Sequence, residues 1–451
     1  MPQASRFTYT LDQLRDFAAS VISAARRSGA TACECDVSEG HGLSVTVRKG
    51  AVDTIENNRD KGIGVTAYLG ERPAARRGHA STSDFSQRAI EQTVEAALAI
   101  ARHTAVDDCA GLPEAEELAT ELPDLDLYHP WDIGAEEAIA LARRAERAAF
   151  ALSPLLTNSE GASVSAQHSQ FVFANSQGFM GGFPSSRHSM TCTMIAERSG
   201  LMQRDDWYSA SRLPEGLANP EALGRYAGER ALARLGARKL PTCQAPVLFE
   251  APLATMLVGS FVSAISGGNL YRRSTFLLDS LGRQVFSPNV HIDELPHEKR
   301  GLASSPFDEE GVATRPRAIV SGGVLEGYFL GSYSARKLGM RSTGSAGGAH
   351  NLVVRADGPD FRGMLRKLHR GLLVTELLGH GINLITGDYS RGAAGYWVEN
   401  GEIAYPVEEI TIAGNLRDMF RGVVAVGSDA IVRGSRTSGS ILIDNMTIAG
   451  D

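Results

Sequence analysis

Zinc hydrolysis, acyl transfer, phosphate binding and hydride transfer each need a recognisable local grouping of residues. The chain contains no HExxH, no GxSxG, no GxxxxGK[ST], and no GxGxxG between a strand and a helix. Its eleven histidines are scattered, and the densest donor set is His291-Ile-Asp293-Glu294-Leu-Pro-His297-Glu298. Two histidines six residues apart across Pro296 cannot share a helix face, so this run lacks zincin geometry and reads as a polar surface loop. His350 in Gly-Gly-Ala-His and His380 in Gly-His-Gly sit in glycine-rich turns, where a ring bonds to local backbone or reaches a ligand. Cys33-Glu-Cys35 lies in an alternating stretch that puts both sulfurs on one side of a strand, as buried small hydrophobes or as a metal or redox pair.

Two glycine-rich segments carry more information. Residues 342–351 (STGSAGGAHN) could open a nest of N–H groups to an anion, although no lysine follows at P-loop spacing. Residues 384–406 join a strand end, a polar loop with Asp388 and Arg391, an aromatic strand around Tyr396-Trp397, and an Asn400-Gly401 hairpin. Small residues alternating with large ones let another backbone approach, as when an extended peptide adds to a sheet. The competing reading is a structural hairpin with an internal Asp388–Arg391 pair.

The elements that hold these residues follow from periodicity. Thr10 and Gln13 have capping-box spacing ahead of the stripe Leu11, Leu14, Phe17, Val21 and Ile22, which predicts a helix stopping at Gly29. The period then changes to two. Leu43, Val45 and Val47 alternate with polar neighbours, Lys49-Gly50 turns the chain, and residues 63–68 resume as strand. Further helices are predicted near 84–103, 134–152 and 219–235, with short strands such as 169–174 and 190–197 between the last two. Residues 104–133 are acidic and proline-punctuated, as in a linker or boundary. From Val247 onward come a strand, an uncharged helix, long Gly/Ser loops and many short strands, with turns at Gly322-Gly323, Asn400-Gly401 and Gly414-Asn415. The predicted class is α+β in two lobes: an N-terminal α+β lobe with an antiparallel sheet and helices, and a β-rich C-terminal lobe. The expected domains are 1–125, 126–240 packing with the first, and 241–451.

The 451 residues include 48 glycines and carry a net charge of −7, which suits a globular chain with many tight turns. Mild acidity without a Lys/Arg-dense block argues against nucleic-acid binding. Five scattered cysteines fit a reduced, cytoplasmic compartment, and the N-terminus lacks an apolar signal segment. Residues 251–271 are uncharged and of bilayer-crossing length. Pro252, three glycines, Asn269 and several hydroxyls dilute that stretch, which favours a helix buried in a core and no membrane partner.

Asn158-Ser-Glu-Gly-Ala-Ser163, residues 301–311 (GLASSPFDEEG), residues 332–339 (SYSARKLG), residues 386–402 (TGDYSRGAAGYWVENGE) and residues 409–416 (EITIAGNL) together resemble the TldD/PmbA family, specifically its PmbA (TldE) branch. The resemblance spans nearly the whole chain. It implies a division of labour in which TldD-type subunits are zinc peptidases with an HExxxH helix and a distant cysteine ligand. PmbA-type subunits share the fold, lack those ligands, and pair with TldD in a cytosolic protease. The counterparts here are residues 257–267, without His or Glu, and Gly434-Ser-Arg-Thr-Ser-Gly439, without cysteine. Peptide hydrolysis by zinc needs about three protein ligands and an activated water, and these segments supply none.

The resemblance therefore implies no catalytic residue and no metal site in this chain, and zinc in a TldD-type partner. Unfolded peptides or the leader peptides of peptide antibiotics would be the substrates. Asp388, Tyr389, Ser390, Arg391, Tyr396, Trp397, His350 and Asn351 are expected to face peptide or partner, and a homodimer is expected of the chain alone. Two other readings stand beside it. One is a stand-alone metallopeptidase with atypical ligands around His291, His297 and Glu298. The other is a homo-oligomeric peptide-binding or chaperone-like protein.

Overall fold

A computed structural model describes residues 7–450. Helix α1 (Leu11–Arg27) begins with the predicted capping box: the Thr10 hydroxyl accepts from the Gln13 amide at 3.2 Å, and the Gln13 side chain accepts from the Thr10 amide at 2.8 Å. Then come β1 (Ala32–Arg48), β2 (Ala51–Leu69), β3 (Arg76–Thr82), α2 (Gln87–His103), α3 (Ala135–Phe150), β4 (Leu156–Asn175), β5 (Met180–Arg198), β6 (Leu201–Ser211) and α4 (Pro220–Ala233). The six strands form one antiparallel sheet in the order β3-β2-β1-β4-β5-β6. Lys49 and Gly50 both take positive φ, as the tight β1–β2 turn requires.

Alternation along β1 sets the layers. Cys33, Cys35 and Val37 pack with α1 and α2, while Leu43, Val45 and Val47 pack with α3 and α4. A polar seam separates the two apolar clusters, with the His41 ring stacked on His168 at 4.7 Å and His168 edge-on to His188 at 5.4 Å. Both cysteines are buried small hydrophobes, and burial pushes the Cys33 thiol up to about 12. That environment is wrong for a redox pair. The helices sit close to the sheet because of glycine: a Cβ on Gly78 of β3 would fall on the backbone of α2 at Ala97 and Ala101.

The C-terminal part contains β7 (Cys243–Phe249), α5 (Ala251–Ala264), α6 (Gly267–Tyr271), β8 (Ile292–Glu294), β9 (Arg317–Ser321), β10 (Val324–Leu325), α7 (Ser332–Lys337), β11 (Leu352–Val354), α8 (Phe361–Leu368), β12 (Gly371–Leu378), β13 (Asp388–Glu399), β14 (Glu402–Asn415), α9 (Leu416–Arg421), β15 (Val423–Val426), β16 (Ile431–Arg433), β17 (Arg436–Ser438) and β18 (Ile441–Ala449). One sheet runs β14-β13-β12-β7-β18-β15, and β14 also pairs with β18, so five strands close into a ring. A second sheet, β10-β9-β8-β11-β17-β16, shares the largest apolar cluster with α5. The class is α+β with a β-rich C-terminal half, as the sequence predicts.

Two expectations change. The uncharged stretch is interrupted at Ile265-Ser266 and forms two short helices. Leu253, Leu257, Val258 and Phe261 of α5 are buried, and no helix among the described residues is long and apolar enough to cross a membrane. Residues 107–126 are a pinned strap and not a loose linker. Lys337 pairs with Asp107 at 3.0 Å and Asp108 at 2.8 Å, and Arg336 donates to the carbonyls of Cys109, Gly111 and Leu112. Leu118 bridges to Val312, and Asp126 pairs with Arg300. The acidic run is held by the basic end of α7, a partner more than two hundred residues away in sequence.

Candidate functional site

The two segments singled out by the absence of metal donors lie against each other. The Arg436 guanidinium of β17 rests on Gly259 of α5, where an added Cβ would stand 3.0 Å from its central carbon. Burial lowers the pKa of Arg436, and its Nε has no hydrogen-bond acceptor among the described residues. The hydroxyls of α5 are turned to their own helix: Thr255 donates to the Pro252 carbonyl at 2.7 Å and Ser263 to that of Gly259 at 3.0 Å. Glu250, which caps the start of α5, is held by Arg230 at 2.6 Å. Arg230 also binds Asp205 at 3.0 Å, while Arg234 reaches Asp205 and Glu376. This nearly buried ionic network fixes α5 against the N-terminal sheet.

Other donor sets fit a metal no better. His297 meets the Thr314 hydroxyl at 3.0 Å, and His291 accepts from the Gly322 amide at 3.3 Å. With Glu298 they do not converge on one point among the described residues. Nor is that run a surface loop. Its centre is strand β8, whose Glu294 is only 2% exposed and binds Arg317 at 2.6 Å and His350 at 3.2 Å. Asp107, Asp108 and Cys109 do bring three donor atoms together, but the Lys337 ammonium already occupies the carboxylates.

A cavity of about 580 Å³ opens between the outer face of the N-terminal sheet and two C-terminal loops, 303–309 and 346–350. Phe171, Phe173, Phe183 and Phe307 make its apolar wall; Glu34, Asp36, Asp308 and Glu309 bring carboxyls, and Arg77, His79 and His350 bring nitrogen. Burial pushes Glu34 and Asp308 up to about 7 and raises Asp36 as well. Two carboxyls that titrate near neutrality can take up or release a proton, and the aromatic wall suits an apolar or cationic side chain. Sequence reasoning missed this acid wall. Its signal was present, because Glu34 and Asp36 alternate with the inward-facing Cys33, Cys35 and Val37.

Of the residues expected to face peptide or partner, His350 alone lines the cavity. Asn351 is a staple: it accepts from the Ala303 amide at 3.0 Å and donates to the Leu295 carbonyl at 3.0 Å and the Ser304 hydroxyl at 2.6 Å. The 342–351 loop does not present a free nest, since the Ala346 amide donates to Asp308 at 2.9 Å and Glu309 crowds Gly347. On β13, Tyr389, Tyr396 and Trp397 are buried and Ser390 is exposed. Asp388 accepts from Thr386 at 2.6 Å and Asn415 at 3.1 Å, while Arg391 donates to the Leu377 carbonyl at 3.4 Å. The internal Asp388–Arg391 pair is not formed. Gly414-Asn415 is not a hairpin turn either, because Asn415 ends β14 and caps α9.

This arrangement defines a class. A six-stranded antiparallel sheet under four helices joined to a closed barrel also occurs in a solved structure from Thermotoga maritima, 27% identical, with a TM-score of 0.87 over 98% of this chain and 100% of that one. The fold recurs in TldE from Thermococcus kodakarensis, 18% identical, with a TM-score of 0.84 over 96% and 100% of the two chains. Three family profiles match in succession: PmbA/TldA metallopeptidase domain 1 over residues 33–101, the central domain over 128–235 and the C-terminal domain over 242–450. The chain belongs to the PmbA/TldD metallopeptidase family, on its PmbA (TldE) branch. It is 50% identical to Metalloprotease PmbA of Escherichia coli O157:H7 over 417 residues, 92% of each chain. It is 44% identical to a PmbA homolog of Haemophilus influenzae over 97% of this chain and 96% of that one, and 23% identical to that organism's TldD homolog over 79% and 77%.

Proposed function

We propose that this chain is the metal-free subunit of a cytoplasmic, heteromeric metalloprotease, in which a TldD-type partner carries the zinc. Together they would act on extended, unfolded peptides, including leader peptides of peptide antibiotics. The observation that carries this reading is the Arg436–Gly259 contact. Zinc needs nitrogen, sulfur or carboxylate ligands. The two facing segments, 251–264 and 434–439, contain no His, Cys, Asp or Glu, and a guanidinium repels a divalent cation. The cavity beside His350 offers this subunit's own surface for a peptide side chain.

Metal analysis and peptide turnover test the proposal. The purified chain should hold no stoichiometric zinc and cleave nothing. Adding a TldD-type subunit should give a complex whose cleavage a chelator stops. Tightly bound zinc in this chain alone, with chelator-sensitive proteolysis, overturns it.

A further inference from the structure

The cavity between the N-terminal sheet and the 303–309 and 346–350 loops carries acids that lack a counter-charge. Glu34, Asp36, Asp308 and Glu309 line it, and none of them forms an ion pair with a lysine or arginine among the described residues. Of the nitrogen-bearing residues in the lining, His79 meets the Thr66 hydroxyl at 3.2 Å and His350 is held by Glu294. Arg77 acts on Glu34 only from a distance. Asp308 accepts from the amides of Glu310, Val312 and Ala346 at 2.9, 3.0 and 2.9 Å, and so shapes its loop. Glu34 accepts from the Tyr68 hydroxyl alone, which leaves lone pairs open to the cavity. Glycine makes the room for the other two acids. A Cβ on Gly64 would stand 2.3 Å from Oδ1 of Asp36, and one on Gly347 would stand 2.4 Å from the carboxyl carbon of Glu309. One carboxyl therefore lies along the sheet and the other along the facing loop.

The phenylalanine wall decides which cation suits these acids. Phe171 and Phe183 meet edge to face at 4.9 Å, and Phe307 stands 6.0 Å and 5.9 Å from them, so the wall is a packed aromatic surface. A metal ion gains nothing from such a wall, and these carboxyls do not bring three donor atoms together among the described residues. An ammonium is a compact, strongly hydrated point charge. A guanidinium is planar and weakly hydrated, stacks on aromatic rings, and offers a fork of N–H donors that carboxylates accept in pairs. Burial without a counter-charge is also what raises the Glu34 carboxyl, and a cation in the cavity would favour its charged form. The volume of about 580 Å³ holds a long side chain with its neighbouring backbone. Phe183 and Phe307 also line an adjoining cavity of about 350 Å³ under residues 122–128, which gives an extended chain an apolar continuation.

We infer that this cavity receives a guanidinium group, which the Glu34, Asp36 and Glu309 carboxyls bind while the phenylalanine wall stacks on it. Its source is an arginine side chain of an extended peptide or a free guanidinium compound. The inference rests on the reading of the cavity as a peptide surface for the first source only, and its test reads no proteolysis. Fluorescence anisotropy of the full chain is measured with a labelled unfolded peptide carrying one central arginine, and with its lysine and citrulline counterparts. Calorimetry with N-acetylarginine amide reads the free compound. The arginine peptide should bind about tenfold or more tighter than the citrulline peptide, which keeps the shape and loses the charge, with lysine between them. Glu34→Gln combined with Asp36→Asn should reduce that ratio to below about threefold. Asp36→Asn alone, at an exposed carboxyl, should lower it part of the way, which separates lost binding from a folding defect. Binding of N-acetylarginine amide without a preference among the peptides assigns the site to a free compound. Equal binding of the arginine and citrulline peptides, with no binding of the amide, overturns the inference and leaves the peptide surface standing. No binding by any of these probes overturns both. An arginine preference that survives the double substitution overturns the assignment to this cavity.

Discussion

Replacing Glu34 by Gln should remove a pH-dependent loss of stability from the wild-type protein. Burial raises the Glu34 carboxyl from 4.5 to about 7, with Glu310 and Asp36 adding negative charge and the Tyr68 hydroxyl, 3.0 Å away, opposing the shift. Between those two values the folded chain keeps a proton that the unfolded chain has released. Stability therefore falls as pH rises through that window, and the folded-state advantage is complete only below the unfolded value. A gap of about 2.5 pH units at ~1.36 kcal/mol each gives roughly 3 kcal/mol, most of it lost between about pH 5 and pH 8. Gln is nearly isosteric, still accepts the Tyr68 hydrogen bond, and has no charge to titrate. Guanidinium unfolding of both proteins, followed by tryptophan fluorescence at the two pH values, should show the variant gaining roughly 2–3 kcal/mol on the wild type as pH rises. Asp36 and Asp308 in the same wall bend both curves, so the difference between proteins isolates Glu34. Parallel pH profiles for the two proteins would refute the buried-acid account of this cavity.

Arg230→Met leaves Asp205 and Glu250 buried without their shared cation and should cost roughly 3–5 kcal/mol in the same unfolding experiment; a cost near zero would mean the network does not hold α5 in place. Arg336→Ala frees the carbonyls of Cys109, Gly111 and Leu112, so a glutamate-specific protease should cut first at Glu114–Glu117, and an unchanged digestion pattern would contradict the strap. Gly78→Ala drives a methyl group into the α2 backbone and should destabilise by roughly 1–3 kcal/mol or more. Gly62→Ala, whose added Cβ would meet nothing nearer than 4.0 Å, should be close to neutral, and equal effects at the two glycines would falsify the close-approach argument.

Local signals were legible in the sequence and distant partners were not. The capping box at Thr10 and Gln13 and the turn at Lys49-Gly50 depend on neighbours within four residues, and both occur as expected. Strand length was underestimated. The segments read as 169–174 and 190–197 are the C-terminal parts of 156–175 and 180–198, because runs such as Ser-Val-Ser-Ala-Gln-His-Ser-Gln hide a buried face among small and polar residues. Glu294 looked like part of a surface loop because its partners, Arg317 and His350, lie 23 and 56 residues away. The Asp388–Arg391 pair was refutable in advance: residues three apart on a strand point to opposite faces, whereas Tyr389 and Arg391 share one. The carboxylate wall escaped notice because it gathers residues from β1 and from the 303–309 loop, which only the packed structure brings together.

Gly259 and Arg436 explain each other, which bears on the proposed reading of this chain as a metal-free subunit. A side chain on residue 259 would press on the guanidinium, which lies against this face of α5. The helix is nevertheless held firmly at its start, where Glu250 joins the Arg230 network, and packed along its length by Leu253, Leu257 and Phe261. On the proposed reading, a helix kept rigid with a cation against this face would preserve shape and not metal chemistry. A zinc site between these two segments would require donors on both and the removal of Arg436 together, because a single donor beside a positive charge binds a divalent ion poorly. That combination of a firmly held helix and a cation against its face is what the proposed division of labour between two related chains would require.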